Sequence, residues 1–191
     1  KKDGKKILNT TYMYNDQLVT GQIERIKDIN VIPSPYLTGA LDEFFNLPLI
    51  PMLETTRGCP FACTFCTDGS DEVMKVNRFD PERVKADLNY IAKHVPDNTH
   101  TLYISDLNFG MLPDDLKTCD AIVEIQKKYD FPHKILSTTG KNNKEQIIES
   151  INRLNGTMAL SMSVQSMDTN VLANIRRENI STEKMMELAP T

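Results

Sequence analysis

The chain has 191 residues, of which 40% are hydrophobic and 25% charged, so it can bury one sizeable core. Its net charge of −4 gives no general attraction for phosphate groups, which argues against nucleic acid or an anionic membrane as a partner. No stretch approaches the roughly 18 apolar residues of a membrane span. We therefore expect a cytoplasmic protein whose partners are small molecules or other proteins.

Residues 1–48 form a first segment with little regular organisation. Met13-Tyr14 and Gln17-Leu18-Val19 flank Asn15-Asp16, a pair typical of a hairpin turn. Further along, Pro33 and Pro35 forbid a regular helix and favour an extended connector. We predict a hairpin and linker here, followed by the main domain at 49–191.

From residue 49 onward, short apolar runs alternate with amphipathic stretches. The predicted strands are 49–54, 101–106, 133–138 and 158–165. The predicted helices are one that begins at Pro81 after the N-cap Asp80, then 113–129, 143–154 and a last helical region at 169–177 and 182–188. This rhythm predicts an α/β fold of parallel βα units, a partial (β/α) barrel truncated after about four units. We expect the edge of the fourth strand to be covered by chain beyond Thr191 or by another protein.

Three of the four cysteines, Cys59, Cys63 and Cys66, lie within eight positions with the spacing C-x3-C-x2-C. Such a tight, odd-numbered cluster suits metal better than disulfides, which need a particular separation of their Cα atoms. Three thiolates can hold three irons of a 4Fe–4S cubane and leave the fourth iron open, whereas a cluster used only for electron transfer usually has four protein ligands. The pattern therefore favours a cluster with an open iron.

Structural zinc is the alternative for these cysteines, and it needs a fourth ligand. The candidates for that ligand are His94, His100, His133 and Cys119. Cys119 falls on the apolar face of a predicted helix, where cysteine commonly packs as a small hydrophobe. We expect Cys119 to be a core residue.

The segment ETTRGCPFACTFC, with Phe65 at the aromatic position, resembles the signature loop of the radical S-adenosylmethionine (SAM) superfamily. The resemblance implies a 4Fe–4S cluster whose open iron binds SAM through its amino and carboxylate groups. It also implies that one electron, from a reductant such as flavodoxin or ferredoxin, cleaves SAM to methionine and a 5′-deoxyadenosyl radical that abstracts hydrogen from substrate. In that family the cofactors carry the difficult chemistry and the protein supplies orientation and exclusion of water.

The resemblance runs from about Leu18 to the end of the chain. Residues 32–39, IPSPYLTG, resemble the segment that joins an N-terminal cobalamin domain to the radical domain in the B12-binding subgroup. It implies methyl transfer or rearrangement, with cobalamin held by a domain that we expect to be absent from this chain. The strand that lines the adenine further along in the family is expected to be absent as well.

The resemblance also implies cofactor contacts at the carboxyl ends of strands, where parallel barrels place their chemistry. The candidates are Phe65, Asp106, Asn108, Ser163, Gln165 and Arg177. Phe65 would help to place the adenine, and Asp106 and Asn108 would lie near the amino group of SAM. No residue is assigned as catalytic.

The remaining candidates come from the fourth predicted strand and the segment after it. Ser163 and Gln165 share one strand face, expected to be the barrel interior, and would contact the ribose or carboxylate. Arg177 would neutralise the carboxylate. The plainer alternatives are a loop-ordering Asp106, core hydrogen bonds at Ser163 and Gln165, and an exposed helix position for Arg177.

Two other function classes remain open at this point. One is a non-catalytic iron–sulfur or zinc scaffold that binds a partner protein, which cluster-bound SAM would exclude. The other is transfer-RNA modification, as in the methylthiotransferase branch, which needs a basic RNA-binding appendage. The acidic charge balance argues against this second class.

Overall fold

The computed structural model describes residues 4–71, 74–140, 142–161 and 163–179, and strands and helices alternate along most of that length. The strands are β1 (Thr11–Tyr14), β2 (Gln17–Thr20), β3 (Met52–Leu53), β4 (Thr56–Arg57), β5 (Asn77–Arg78), β6 (Thr101–Phe109) and β7 (Lys134–Thr139). The helices are α1 (Pro81–His94), α2 (Asp115–Tyr129), α3 (Lys144–Arg153) and α4 (Thr169–Asn174). Single turns of 3-10 helix span Ile29–Val31, Asp42–Asn46 and Thr67–Gly69.

Two local signals in the sequence are confirmed. β1 and β2 pair as an antiparallel hairpin, and both turn residues, Asn15 and Asp16, have the positive φ that a two-residue turn of this kind requires. α1 begins after Asp80, whose carboxylate accepts a hydrogen bond from the backbone N–H of Glu82 at 2.8 Å. That bond satisfies one of the amide donors that every helix leaves unpaired at its first turn.

The main sheet has three parallel strands in the order β3-β6-β7. β6 is central and lies between the short β3 and the longer β7, and α1, α2 and α3 pack side by side. The apolar faces of the helices bury residues such as Leu88 and Ile122 against Leu102 and Ile104 of β6 in one core. The parallel α/β fold is confirmed, and no closed barrel forms among the described residues.

The prediction of a fourth strand at 158–165 is wrong for the described residues of that segment. Parallel pairing is reduced to one bridge between Ile135 of β7 and Met158. Residues 159–161 and 163–165 have no regular structure, and Ser163 and Gln165 are exposed rather than facing an interior. The alternating pattern at 158–165 is therefore not enough to extend the sheet beyond β7. The helix expected at 182–188 lies outside the described residues.

The segment before β3 is packed onto the main domain. Ile29 and Tyr36 belong to the same buried core as β6, and the Ser34 hydroxyl donates a 2.5 Å hydrogen bond to Asp87 of α1. The Tyr36 hydroxyl donates to the Met52 carbonyl at 2.6 Å and accepts from the Met52 N–H at 3.1 Å. The division of the chain at 48/49 stays a prediction, and residues on both sides of it share one core.

A membrane-spanning helix was not expected from the sequence. Among the helices in the described parts of the chain, none combines the length and the apolar character needed to cross a bilayer.

Candidate cofactor site

The loop with the three cysteines begins immediately after β4 and lies at the carboxyl end of β3. Gly58 has φ of 107°, a conformation that side-chain-bearing residues rarely adopt, and it turns the chain from β4 into Cys59. Cys59 and Cys63 are buried and Cys66 is half-buried. The loop closes with a hydrogen bond of 3.1 Å from the Cys66 N–H to the Cys63 carbonyl.

A second glycine allows the end of the loop to fold back on its start. A Cβ atom on Gly69 would lie 2.5 Å from the carbonyl oxygen of Cys63, which is closer than atoms can approach. The chain therefore needs a residue without a side chain at position 69. This close approach brings the end of the loop back beside Cys63.

Asp106 of β6 holds the backbone that leads into the cysteine loop. Its Oδ1 accepts from the Thr55 N–H at 2.7 Å, and its Oδ2 accepts from the hydroxyls of Thr55 and Thr56, the latter at 2.8 Å. All three residues are buried. Burial raises the pKa of the Asp106 carboxyl, and the hydrogen bonds from Thr55 and Thr56 oppose that rise.

These bonds give Asp106 the loop-ordering role that the sequence left open. Both of its oxygens are engaged by the chain itself, so the carboxylate joins β6 to the β3–β4 corner. Contact between Asp106 and the amino group of a cofactor stays a prediction.

Asn108 lies two residues further along β6 and contacts a cysteine directly. Its side-chain Nδ2 donates a hydrogen bond to the Cys59 Sγ at 3.3 Å, and both residues are buried. Since alternate residues of a strand point to the same side, Asp106 and Asn108 reach the cysteine loop from one face of β6. Two successive polar side chains of β6 thus hold the loop and its first cysteine.

Arg177 is buried, so the alternative of an exposed helix position is wrong. α4 ends at Asn174, and beyond it the Arg177 Nη2 donates to the Ser163 carbonyl at 2.5 Å while its Nε donates to the Asn179 Oδ1 at 2.9 Å. The same stretch meets the cysteine loop, where the Thr64 N–H donates to the Ile175 carbonyl at 3.1 Å. Neutralisation of a cofactor carboxylate by Arg177 stays a prediction.

A cleft of about 440 Å³ separates the cysteine loop from α4 and the segment that follows it. The residues that line it are Pro60, Phe61, Ala62, Asn142, Leu172, Ala173, Arg176, Arg177 and Glu178. Its volume falls in the range of about 300–1,000 Å³ typical of small-molecule sites. Phe65 is half exposed and does not line this cleft, whereas Phe61 does.

The three thiols of the loop fit a 4Fe–4S cluster by the chemistry of the donor set. They come from one short loop, and an amide donor already faces the sulfur of Cys59. In the described parts of the chain no three His, Cys, Asp or Glu side chains converge as the ligands of a single ion do. A cubane does not require such convergence, because each cysteine binds its own iron.

Cys119 is a core residue, as the sequence predicted. It is fully buried on α2, and burial raises the pKa of its thiol to about 12. Its neighbours in the core are apolar side chains such as Ile122 and Leu154. This position in the apolar core suits a packing role rather than that of a fourth zinc ligand.

Sequence reasoning missed Thr55, Thr56 and Arg176 as residues of this site. The signal for the two threonines was a polar pair that begins two residues after the buried Leu53, at the end of a short apolar run. Arg176 has a left-handed backbone, with φ of 51°, and lines the cleft. No local pattern distinguished Arg176 from its neighbour Arg177.

Comparison with known proteins agrees with the loop and the fold. Residues 53–189 match the model of the radical SAM superfamily. The chain is 29% identical over 182 residues to "Cobalamin-dependent radical SAM methyltransferase TokK" of Streptomyces tokunonensis, covering 91% of this chain and 26% of that protein. It is 30% identical over 196 residues to "2-(S-pantetheinyl)-carbapenam-3-carboxylate methyltransferase" of Streptantibioticus cattleyicolor, covering 97% of this chain and 28% of that protein.

A solved structure of the cobalamin-dependent SAM radical enzyme OxsB, with aqua-cobalamin and SAM bound, has a similar fold. The TM-score is 0.59 at 20% identity, over 96% of this chain and 27% of the OxsB chain. The chain thus spans about a quarter of the length of the relatives that it matches. From the match at 53–189, which covers most of its length, the chain belongs to the radical SAM superfamily.

Proposed function

We propose that this chain is the part of a radical SAM enzyme that holds a 4Fe–4S cluster on Cys59, Cys63 and Cys66. The observation that carries the proposal is the cysteine loop at the carboxyl end of β3, with Asn108 bonded to Cys59 and Asp106 fixing the approach to the loop. When bound, the cluster supplies one electron that cleaves SAM to a 5′-deoxyadenosyl radical. A scaffold has no use for an iron without a protein ligand, so the enzyme is the better explanation.

The residues of the chain have separable tasks in this proposal. The three thiolates would bind iron, and the cleft between the loop and Arg176 would hold SAM. Arg176 and Arg177 both line that cleft, and their positive charge suits a carboxylate, since arginine and carboxylate form charge-assisted hydrogen bonds. Phe61 supplies an apolar wall, which helps to exclude water.

For the whole protein we propose cobalamin-dependent methyl transfer in preference to rearrangement. Both curated relatives carry the word methyltransferase in their names, and one of those names specifies cobalamin. The resemblance of residues 32–39 to the connector of the B12-binding subgroup points the same way. The reductant would be a one-electron donor of the flavodoxin or ferredoxin class, and the substrate a small molecule.

The test is anaerobic reconstitution with iron and sulfide, followed by reduction with dithionite and electron paramagnetic resonance spectroscopy with and without SAM. We expect about four irons per chain and a reduced-cluster signal that changes when SAM is added. Cys59→Ala should abolish the signal, whereas the matched change Cys119→Ala should keep it. A protein that contains one zinc per chain and no cluster, or a cluster whose signal does not change when SAM is added, would favour the scaffold instead.

A further inference from the structure

The bond between Asn108 and Cys59 lies where water is excluded. Asn108 and Cys59 are each 7% exposed, and the Nδ2–Sγ distance is 3.3 Å. A hydrogen bond to a group that becomes ionised is stronger in a buried site than in water, because competing solvent is absent. The contact can therefore change the energy of any charge that develops on this sulfur.

The donor and the acceptor are both fixed by β6. Asn108 lies on the central strand of the sheet, between β3 and β7. The loop that carries Cys59 is held to the same strand by Asp106, through Thr55 and Thr56. Because one rigid element positions both partners, the N–H of Asn108 stays directed at the sulfur.

A cysteine sulfur that binds iron is a thiolate and can only accept hydrogen bonds. Reduction of the cluster adds one electron and so increases the negative charge shared by the irons and their sulfur ligands. A donor aimed at one of these sulfurs stabilises the reduced form more than the oxidised form, and hydrogen bonds to the sulfurs are one of the factors that set cluster potentials.

We propose that Asn108 is a positioning residue that raises the reduction potential of the cluster through its hydrogen bond to Cys59. The inference rests on the proposed function, since it requires the cluster. A higher potential makes the cluster easier for its one-electron donor to reduce, so Asn108 would act in the step that precedes cleavage of SAM. Its role is then distinct from direct contact with the SAM amino group.

The experiment is a redox titration of the reconstituted protein, following the reduced-cluster signal by electron paramagnetic resonance. Asn108→Leu keeps the size of the side chain and removes the donor. We expect the equilibrium constant for one-electron reduction to fall about tenfold, which is a midpoint potential lower by about 59 mV. The matched control is Asn89→Leu on α1, where the lost amide donates to the Lys85 carbonyl, and the potential should not change.

Asn108→Asp provides a second variant in case the apolar side chain prevents folding. It has nearly the same shape and places a carboxylate oxygen near the sulfur, so the potential should fall further than in Asn108→Leu. Circular dichroism and the content of iron and sulfide show that folding and cluster assembly are intact.

Two outcomes would overturn the inference in distinguishable ways. If both Asn108 variants assemble a cluster with the wild-type potential, the tuning role is wrong while the proposed function stands. If the wild-type protein assembles no cluster under the same conditions, the proposed function fails and the inference fails with it.

Discussion

The two flanks of β6 are built in different ways. Towards β3, Asp106 and Asn108 hold the cysteine loop through buried hydrogen bonds. Towards β7, residues 159–161 and 163–165 are mostly exposed, and the contacts that hold this part of the chain include one bridge and the hydrogen bonds of Thr139 and Arg177. The difference teaches that the residues proposed to hold the cluster are ordered within this sheet, whereas those proposed to hold SAM depend on a few contacts in an irregular segment.

The largest expected effect is the loss of Asp106, on the ordered flank. Asp106→Leu leaves the Thr55 N–H and two hydroxyls without their acceptor in a buried place. We expect the free energy of unfolding to fall by about 3 kcal/mol, since each unpaired buried group costs about 1–3 kcal/mol. Urea unfolding followed by circular dichroism measures this.

Asp106→Asn is the matched control for that change. The amide oxygen can still accept from the Thr55 N–H, and the two hydroxyls can rotate to accept from the amide nitrogen. We expect a loss below about 1 kcal/mol. Equal losses in both variants would show that the hydrogen bonds of Asp106 do not hold this flank together.

The charge of Asp106 gives a pH dependence of its own. Burial raises the pKa of this carboxyl above its ordinary value of 3.8, so the folded state keeps its proton to higher pH than the unfolded chain. The contribution of Asp106 to stability is therefore largest at low pH and is lost as pH rises through the folded pKa. The asparagine in Asp106→Asn cannot titrate. Between about pH 4 and 7, the free energy of unfolding of the wild type should therefore fall relative to that of Asp106→Asn as pH rises, by at most about 1.4 kcal/mol per pH unit. A constant difference between the two proteins would contradict this.

A smaller effect is expected on the irregular flank. Arg177→Met removes the donor that holds the Ser163 carbonyl, and we expect amide hydrogen exchange in 163–179 to become about tenfold faster. Amide hydrogen exchange in β6 should not change, because the pairing of β6 with β3 and β7 does not involve Arg177. Arg176→Met, at the exposed neighbouring position, should leave both regions unchanged. Faster exchange in β6 would show that the two flanks are coupled.

The smallest effect concerns the cysteine outside the loop. Cys119→Ala should keep the full iron content and lower the free energy of unfolding by about 1 kcal/mol, the cost of one buried group of this size. In the native protein, iodoacetamide at neutral pH should leave Cys119 unlabelled, because its side chain is fully buried and that burial also raises the pKa of its thiol to about 12. Mass spectrometry of native and urea-denatured samples reads the labelling directly.

Features that depend on neighbouring residues could be predicted from the sequence. The hairpin at Asn15-Asp16 and the N-terminus of α1 at Asp80 follow from turn and capping chemistry within a few positions. The cysteine loop follows from its spacing alone. Each of these signals is complete within a short stretch of chain.

Features that depend on distant partners could not be predicted in the same way. Asp106 and Thr55 are 51 residues apart, and nothing near either residue shows that they bond. β4 and β5 pair over two residues each, which is too short for a periodic pattern. At 158–165 the alternation of side chains showed that a strand was possible, but pairing depends on which neighbours the sheet offers.

Tyr36 has a consequence for the solubility of the protein. Within the described parts of the chain β3 is an edge strand, and since the Pro51 carbonyl accepts from the Tyr103 N–H of β6, the N–H and carbonyl of Met52 point outward from the sheet. The Tyr36 hydroxyl bonds to both of these groups, so another chain cannot pair with β3 at that residue. The phenol of Tyr36 thus blocks strand pairing between molecules at this edge, which could otherwise lead to aggregation. In other proteins, charged side chains, prolines or bulges protect edge strands in the same way.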